Sequence, residues 1–406
     1  MVLDENFRKM SKSLGNTVDP HVLIEGADAK VDDESLVVSA TSKDGKKKKS
    51  SAPKSFMPDA IGVDHLRLWV ASTEYTGDVS IGKTVLTKIG DSLKKYRLSA
   101  KFLLGCVDDL KQADVVPYEK LSPIDQYLMH LLHAYTQQVT EAYESYSFKD
   151  VFTAMQLFNT SHLSSLFFDT SKDRLYADAR DSITRRQAQT ALLHTLIVLV
   201  KSMAPIMPHL AEDIYRHVPN ELKPFFNFTP SSSSSPSPSA PLASSDSIFM
   251  HGWISTPASW SNPSLFAHFS TGRRVRSHVT KLLESLRQEK KLLANFSEAA
   301  ITIEVDPESG LGKELSTLGC HNLTTIFNTA STELKPLGPS SSTDASDSHS
   351  LTTEEVDSNG ASTSLTIRFR PAPGMKCPRC WKTSIDVNET QTCCNRCTQV
   401  LKSQPA

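Results

Sequence analysis

The sequence predicts a mainly α protein, with a small α/β unit and a metal-binding tail towards its C-terminus. Three observations carry this expectation. Apolar residues recur at three- and four-residue steps through much of 83–211, the mark of amphipathic helices. One alternating, β-branched run, Ala300-Ile301-Thr302-Ile303-Glu304-Val305, reads as a strand beside a basic helical pattern. Of seven cysteines, five lie between Cys377 and Cys397.

The bulk numbers set limits. A chain of 406 residues holds two or three domains and buries a sizeable core. Its formal net charge of -1 gives no whole-molecule attraction to a polyanion. Local basic surface is a different matter. Residues 271–291 carry seven Lys/Arg against two Glu, and residues 361–406 carry seven against two acidic residues. No apolar run reaches the length of about 18 residues that a membrane helix needs. Clustered cysteines favour a metal site over a disulfide framework. Only eight residues precede Lys9, which leaves no room within this chain for a signal or transit peptide ahead of it.

The first element is a loop, Arg8-Lys9-Met10-Ser11-Lys12-Ser13-Leu14-Gly15-Asn16. Lys9 and Lys12 converge on one polyanion if the backbone curls. Ser11 and Ser13 add hydroxyl donors, and Gly15 permits a tight turn that presents backbone N–H groups. The set suits a triphosphate. A short helical pattern over Thr17–Lys30 follows. Val31–Asp59, with its acidic run and Lys46–Lys49, has no sustained periodicity and is expected to be a disordered insertion.

The helical bundle comes next. Leu86, Ile89, Leu93, Tyr96, Ala100 and Leu103 form the stripe of one helix. Ser122-Pro123-Ile124-Asp125 is a helix start, with Ser as N-cap and Asp reaching back. Leu128, Leu131, Leu132, Tyr135, Val139 and Ala142 form the next stripe. Phe148–Phe168 reads as a third helix, and Ala191–Met203 lies within a fourth. His130, His133, His162 and His194 fall inside these patterns and are expected to be structural or surface residues.

Thr229–Ser247 is Ser/Pro-rich and reads as a flexible linker. Gly272–Asn295 is a helical pattern with Arg273, Arg274, Arg276, Lys281, Arg287, Lys290 and Lys291 around an apolar stripe. Those cations are either a solvated face or a contact for an RNA backbone. Gly338–Ser364 has no Lys or Arg and five acidic residues, so it is expected to be a disordered linker.

Two C-x-x-C knuckles close the chain, Cys377-Pro378-Arg379-Cys380 and Cys394-Asn395-Arg396-Cys397, with thirteen residues between them. A zinc ion takes four thiolates in a tetrahedron, and two such knuckles can wrap it from opposite sides. The symmetric spacing favours Cys394 over Cys393 as ligand. Arg368, Arg370, Arg379 and Arg396 make this tail basic.

Several strings resemble one family. Lys9-Met10-Ser11-Lys12-Ser13-Leu14-Gly15-Asn16, with Thr17-Val18-Asp19-Pro20 behind it, closely resembles the KMSKS signature of class I aminoacyl-tRNA synthetases. Leu66-Arg67-Leu68-Trp69-Val70-Ala71-Ser72 and Tyr75-Thr76-Gly77-Asp78 look isoleucyl rather than valyl or leucyl. Lys172-Asp173-Arg174-Leu175-Tyr176, Arg185-Arg186-Gln187-Ala188-Gln189-Thr190 and Met203-Ala204-Pro205-Ile206-Met207-Pro208-His209 look like the family's helical anticodon-binding domain. The cysteine tail resembles the C-terminal zinc finger of bacterial and mitochondrial-type members; DNA glycosylases carry a related finger. Where the first bundle helix of the family often has Arg-Asn-Thr, this chain has Arg97-Leu98-Ser99.

The resemblance implies a fold and a division of the chain. Residues 1–82 become the end of a Rossmann catalytic domain, interrupted at 31–59. Residues 83–228 become a helical anticodon-binding domain, and 229–247 a linker. Residues 248–337 become an α/β region with the basic helix, 338–364 an acidic linker, and 365–406 a zinc finger. It implies catalytic roles for Lys9 and Lys12, and binding of ATP or pyrophosphate by Lys9, Met10, Ser11, Lys12 and Ser13. It also implies zinc on Cys377, Cys380, Cys394 and Cys397. The partners implied are tRNA(Ile), with isoleucine, ATP and magnesium in the complete enzyme, and no membrane. A monomer in the mitochondrial matrix is expected, with the cytoplasm as the alternative location. No His-x-Gly-His, the family's HIGH signature, occurs in the sequence. The chain is therefore expected to be a C-terminal part, starting just before the KMSKS loop and catalytically incompetent by itself. A non-catalytic, zinc-containing tRNA- or nucleic-acid-binding protein is the alternative.

Overall fold

The computed structural model describes residues 1–14, 16–26, 60–227, 246–337, 349–388 and 391–403. The expected insertion at 31–59, residues 229–245 of the Ser/Pro-rich stretch and residues 338–348 of the acidic one lie outside the described residues, as does Gly15. In chain order, β1 (Val2–Leu3), α1 (Pro20–Glu25), α2 (Val63–Ser72), β2 (Val79–Ser80) and α3 (Lys83–Val107) come first. Next are α4 (Pro123–Glu144), α5 (Phe148–Leu157), a π-helical stretch (Phe158–Phe167), α6 (Phe168–Ala177), α7 (Ile183–Met203) and α8 (Pro208–Arg216). The chain continues through α9 (Pro263–Gln288), β3 (Ala299–Val305), α10 (Gly310–Phe327), β4 (Ser331–Pro336), β5 (His349–Val356) and β6 (Ser362–Pro371). It ends with β7 (Met375–Lys376), β8 (Thr383–Ser384) and α11 (Asn395–Ser403).

Two compact units interleave along the sequence. Residues 1–108, 135–160 and 195–256 make one; residues 109–134, 161–194 and 257–406 make the other. Both α4 and α7 therefore give their first part to the second unit and their last part to the first.

In the first unit, β1 pairs with β2 in parallel. Helix α3 buries Leu86, Ile89, Tyr96, Ala100 and Leu103, the stripe its spacing predicts, while Leu93 is only half-buried. Helix α2 bolts the loop-bearing segment to the helices at both ends of one corner. The buried Asp64 carboxylate accepts the N–H groups of His209 and Leu210 at the start of α8, at 3.4 and 2.6 Å. Arg67 donates to the carbonyls of Pro205 and Ile206, just past α7, at 2.8 and 2.9 Å. An anion at a helix N-terminus and a cation at a helix C-terminus each oppose the local partial charge. Asp246 and Ser247, read from sequence as linker, instead dock on α8. Ser247 Oγ donates to Glu212 at 2.7 Å, and Tyr215 donates to Asp246.

In the second unit, Asp125 departs from the expected cap. It accepts Ser122 Oγ at 2.5 Å, but its main partner is Arg174 of α6, bidentate at 2.6 and 2.8 Å. The expected helix 148–168 runs without a gap to Ala177 and includes a π-helical stretch, Phe158–Phe167, between two α-helical ones. Within the π-helical one, Ser161 gives its carbonyl to Arg273 of α9 at 2.8 Å. The basic helix starts earlier than its sequence pattern, because Asn262 caps it by accepting Leu265 N–H and Pro263 takes the first helical position. It stops at Gln288, so Lys290 and Lys291 lie beyond it.

A four-stranded sheet, ordered β4-β3-β6-β5, backs α9 and α10. β3 and β4 are parallel across the α10 crossover, while β6 runs antiparallel to both β3 and β5. Here the expectation of a disordered linker over 338–364 fails for residues 349–364. They are β5 and the start of β6, paired from His349↔Phe369 to Val356↔Ser362. Acidic composition suggested disorder, but β5 is an edge strand in which Glu354 is exposed and the buried Glu355 is paired with Arg274 and His278. The Leu365, Ile367 and Phe369 side of β6 supplies the buried face.

Candidate phosphate loop and metal centre

The loop is organised from Asp4, which follows β1. Its buried carboxylate accepts the N–H groups of Asn6 and Arg8 and the Nδ2 of Asn16, each at 2.9 Å. The hydrogen bond from Asn16, then that from the Arg8 N–H, holds the carboxyl below its usual range. Asn16 closes the loop on its other side. Its Oδ1 accepts Ser11 N–H at 2.9 Å, and its Nδ2 also reaches the Lys9 carbonyl at 3.3 Å. Ser11 and Ser13 share a hydroxyl contact of 2.6 Å. Inside this frame Met10 and Ser11 are half-buried, whereas Lys9, Lys12 and Ser13 are exposed. Neither lysine is ion-paired among the described residues. The internal polar groups are satisfied by Asp4 and Asn16, and the cations point to solvent. The sequence pattern points to the Gly-Asn pair but not to the frame that Asn16 builds with Asp4. The signal was two short polar residues flanking a lysine-serine run.

The cysteine centre lies in the second unit. The first knuckle joins β7 to β8, with Cys377 N–H donating to Lys382 O at 3.0 Å and Trp381 N–H to Cys377 O at 2.8 Å. Gly374, at φ +99°, starts this turn; a Cβ there would lie 2.2 Å from the Ser384 carbonyl oxygen. The second knuckle opens α11, which carries Cys397. Cys377, Cys380, Cys394 and Cys397 bring their sulfurs within 4.8 Å of one another. Cys380 and Cys394 are 3.8 Å apart, and a tetrahedron of sulfurs about 2.3 Å from zinc has edges of about 3.8 Å. Cys393 packs against the cluster from outside this set. Burial would raise the Cys377 thiol, but the N–H groups of Cys380, Cys394 and Arg379 bring it down to about 6, while burial pushes Cys394 up to about 12. The donor set is soft, closed and suited to zinc.

Several other arginines are paired within the fold. Arg368 pairs with Glu304 at 2.7 Å, and Arg396 with Asp173 at 2.6 Å. On α9, Arg273 donates to His162 Nδ1 at 2.8 Å and Arg274 to Glu355 at 3.0 Å. Arg185 is bidentate on Asp109 at 2.7 and 2.8 Å, which holds that carboxyl at about 2. The histidines serve packing: His130 Nδ1 accepts Asn262 N–H at 2.9 Å, and His194 stands edge-on to Trp260. Burial pushes both His162 and His194 down to about 4.

The family described as "Anticodon-binding domain of tRNA ligase" matches residues 125–303, and "tRNA synthetases class I (I, L, M and V)" matches residues 1–82. The isoleucine–tRNA ligase of Microcystis aeruginosa is 34% identical over 408 residues, covering 99% of this chain and 37% of the relative. This chain is a homologue of the isoleucine–tRNA ligases. Those of Crocosphaera subtropica and Thermosynechococcus vestitus are 34% and 33% identical over 98% and 99% of the chain. The chain spans 37% of the length of these curated relatives. Among the described residues, no helix is long and apolar enough to cross a membrane.

Proposed function

We propose that this chain serves isoleucine–tRNA ligation, supplying a phosphate-closing loop, an anticodon-binding domain and a structural zinc site. The observation that carries the reading is identity of 34% to an isoleucine–tRNA ligase over 99% of the chain. The loop geometry supports it, because Lys9 and Lys12 are exposed cations on a frame whose own acceptors are already used.

In the first step the isoleucine carboxylate attacks the α-phosphorus of ATP, forming the adenylate and releasing pyrophosphate. In the second, a terminal ribose hydroxyl of tRNA(Ile) attacks the acyl carbon and AMP leaves. Lys12, with Lys9, places positive charge where the departing pyrophosphate gathers negative charge. Ser11 and Ser13 offer hydroxyl donors to the same phosphates, and magnesium accompanies the ATP. Cys377, Cys380, Cys394 and Cys397 would hold the zinc, which supplies folding energy rather than chemistry.

In the complete enzyme, Lys12→Ala should lower kcat about 100-fold with little change in KM. A rise in KM at constant kcat would contradict the role. The 406-residue chain should bind tRNA(Ile) with an affinity that falls linearly in log salt and drops when the anticodon is swapped. Equal affinity for both tRNAs would contradict the anticodon reading. Purified alone, the chain should show no isoleucine-dependent ATP–pyrophosphate exchange.

A further inference from the structure

Arg379 and Arg396 hold the same place in the two knuckles, each just before the second cysteine. Both turn to the C-terminal end of α6. Arg396 is bidentate on Asp173 at 2.6 and 2.8 Å and reaches Asp178, the residue after the helix, at 3.2 Å. Lys382, just past the first knuckle, meets Asp173 at 3.0 Å. Arg379 Nη1 donates both to the carbonyl of Ala177, the last residue of α6, and to Cys397 Sγ at 3.5 Å. One guanidinium thus bridges a sulfur of the metal centre and the end of a helix, where unpaired carbonyls carry partial negative charge.

We propose that metal loading of the four-cysteine centre clamps the end of α6, with Arg379, Lys382 and Arg396 as the jaws. The inference rests on the metal reading above and gives that centre a further role, the positioning of a helix far from it in sequence. The two cysteines of a C-x-x-C turn, once tied to one ion, fix the direction of the side chain between them. Among the described residues, the buried cluster of the knuckle pair holds Val387 besides the cysteines, so few other contacts fix that direction. Coupling of this kind is reciprocal. If the metal orders α6, then Asp173, which touches no ligand sulfur, must strengthen metal binding. Arg379, donating to a ligand sulfur, must strengthen it more.

The test uses the full chain. Zinc content is measured first, then hydrogen exchange across α6 with zinc bound and after chelation, and zinc affinity by competition with a chromophoric chelator. Chelation should speed exchange in the last turns of α6 about ten-fold or more. Arg379→Met should weaken zinc about ten-fold, Asp173→Asn a few-fold, and Arg379→Lys should recover part of the loss. Circular dichroism checks that each variant is folded, and Lys382→Met replaces Asp173→Asn if the latter is not. One bound zinc with unchanged α6 exchange and unchanged affinities would overturn the clamp and leave the metal site standing. No zinc bound by the unaltered chain would overturn both.

Discussion

The loop at Lys9–Asn16 and the cysteine knuckles are both short, basic and rich in turn residues, yet their cations have opposite fates. Lys9 and Lys12 are exposed, and no described carboxylate pairs with them. Arg379, Lys382 and Arg396 are turned inward onto a carbonyl and two carboxylates. The difference lies in where the carboxylates stand. In the loop, Asp4 is taken up by the N–H groups of Asn6 and Arg8 and by Asn16, which leaves the lysines idle. At the knuckles, Asp173 and Asp178 at the C-terminal end of α6 face the cations directly. A count of charges in sequence treats the two alike, whereas only the idle cations are available to a phosphate.

The comparison is broken most severely at the metal centre. Cys377→Ser or Cys394→Ser should lose the zinc, and with it metal-binding energy on the order of 10 kcal/mol that holds the tail folded. Cys393→Ser should keep it, since its sulfur lies outside the set of four. Elemental analysis separates these outcomes. Zinc retained in Cys394→Ser and lost in Cys393→Ser would reverse the ligand assignment.

A paired cation should be costly to orphan. Asp125 and its partner Arg174 have side chains only 3% and 15% exposed, so Asp125→Ala should lower stability by about 3–5 kcal/mol in denaturant melts. A loss under 1 kcal/mol, the value for surface pairs, would mean that the pair is solvated.

Acid should act on the inward-facing groups as well. His162 and His194 fall from the ordinary 6.5 to about 4, so both are neutral in the folded chain. Their contribution is fully present above pH 6.5 and is lost as pH falls towards 4, on the order of 3 kcal/mol for each imidazole. His162→Gln should flatten part of that slope. An unchanged slope in the variant would show that His162 takes up its proton at the same pH folded and unfolded, against the effect of its burial.

The loop frame offers a smaller effect. Asn16→Ala removes the leading cause of the low Asp4 pKa, so the Asp4 carboxyl resonance should titrate higher, towards the usual range. An unmoved titration would place the cause in the Arg8 N–H instead.

How much of this was legible in sequence follows the range of the interactions. The helical stripes of α3 and α4 were readable because their period is local, as was β3 by alternation. The four sulfurs were readable because spacing alone brings each pair together. The π-helical stretch was not, nor was the bond to its Ser161 from Arg273, 112 residues away. Nor were β5 and the direction of Arg396, whose partner Asp173 is 223 residues distant. Composition cannot show whether a cation has a partner across the fold.

The central claim is therefore best tested by exchanging one cation of each kind and reading two quantities. Lys12→Met and Arg396→Met are compared with the unaltered chain by denaturant midpoint and by phosphorus NMR titration with inorganic triphosphate. Lys12→Met should weaken the triphosphate shift and change stability by less than about 0.5 kcal/mol. Arg396→Met should lower the midpoint and leave the triphosphate shift intact. A destabilised Lys12→Met with full triphosphate binding, or an Arg396→Met that loses it, would contradict the account.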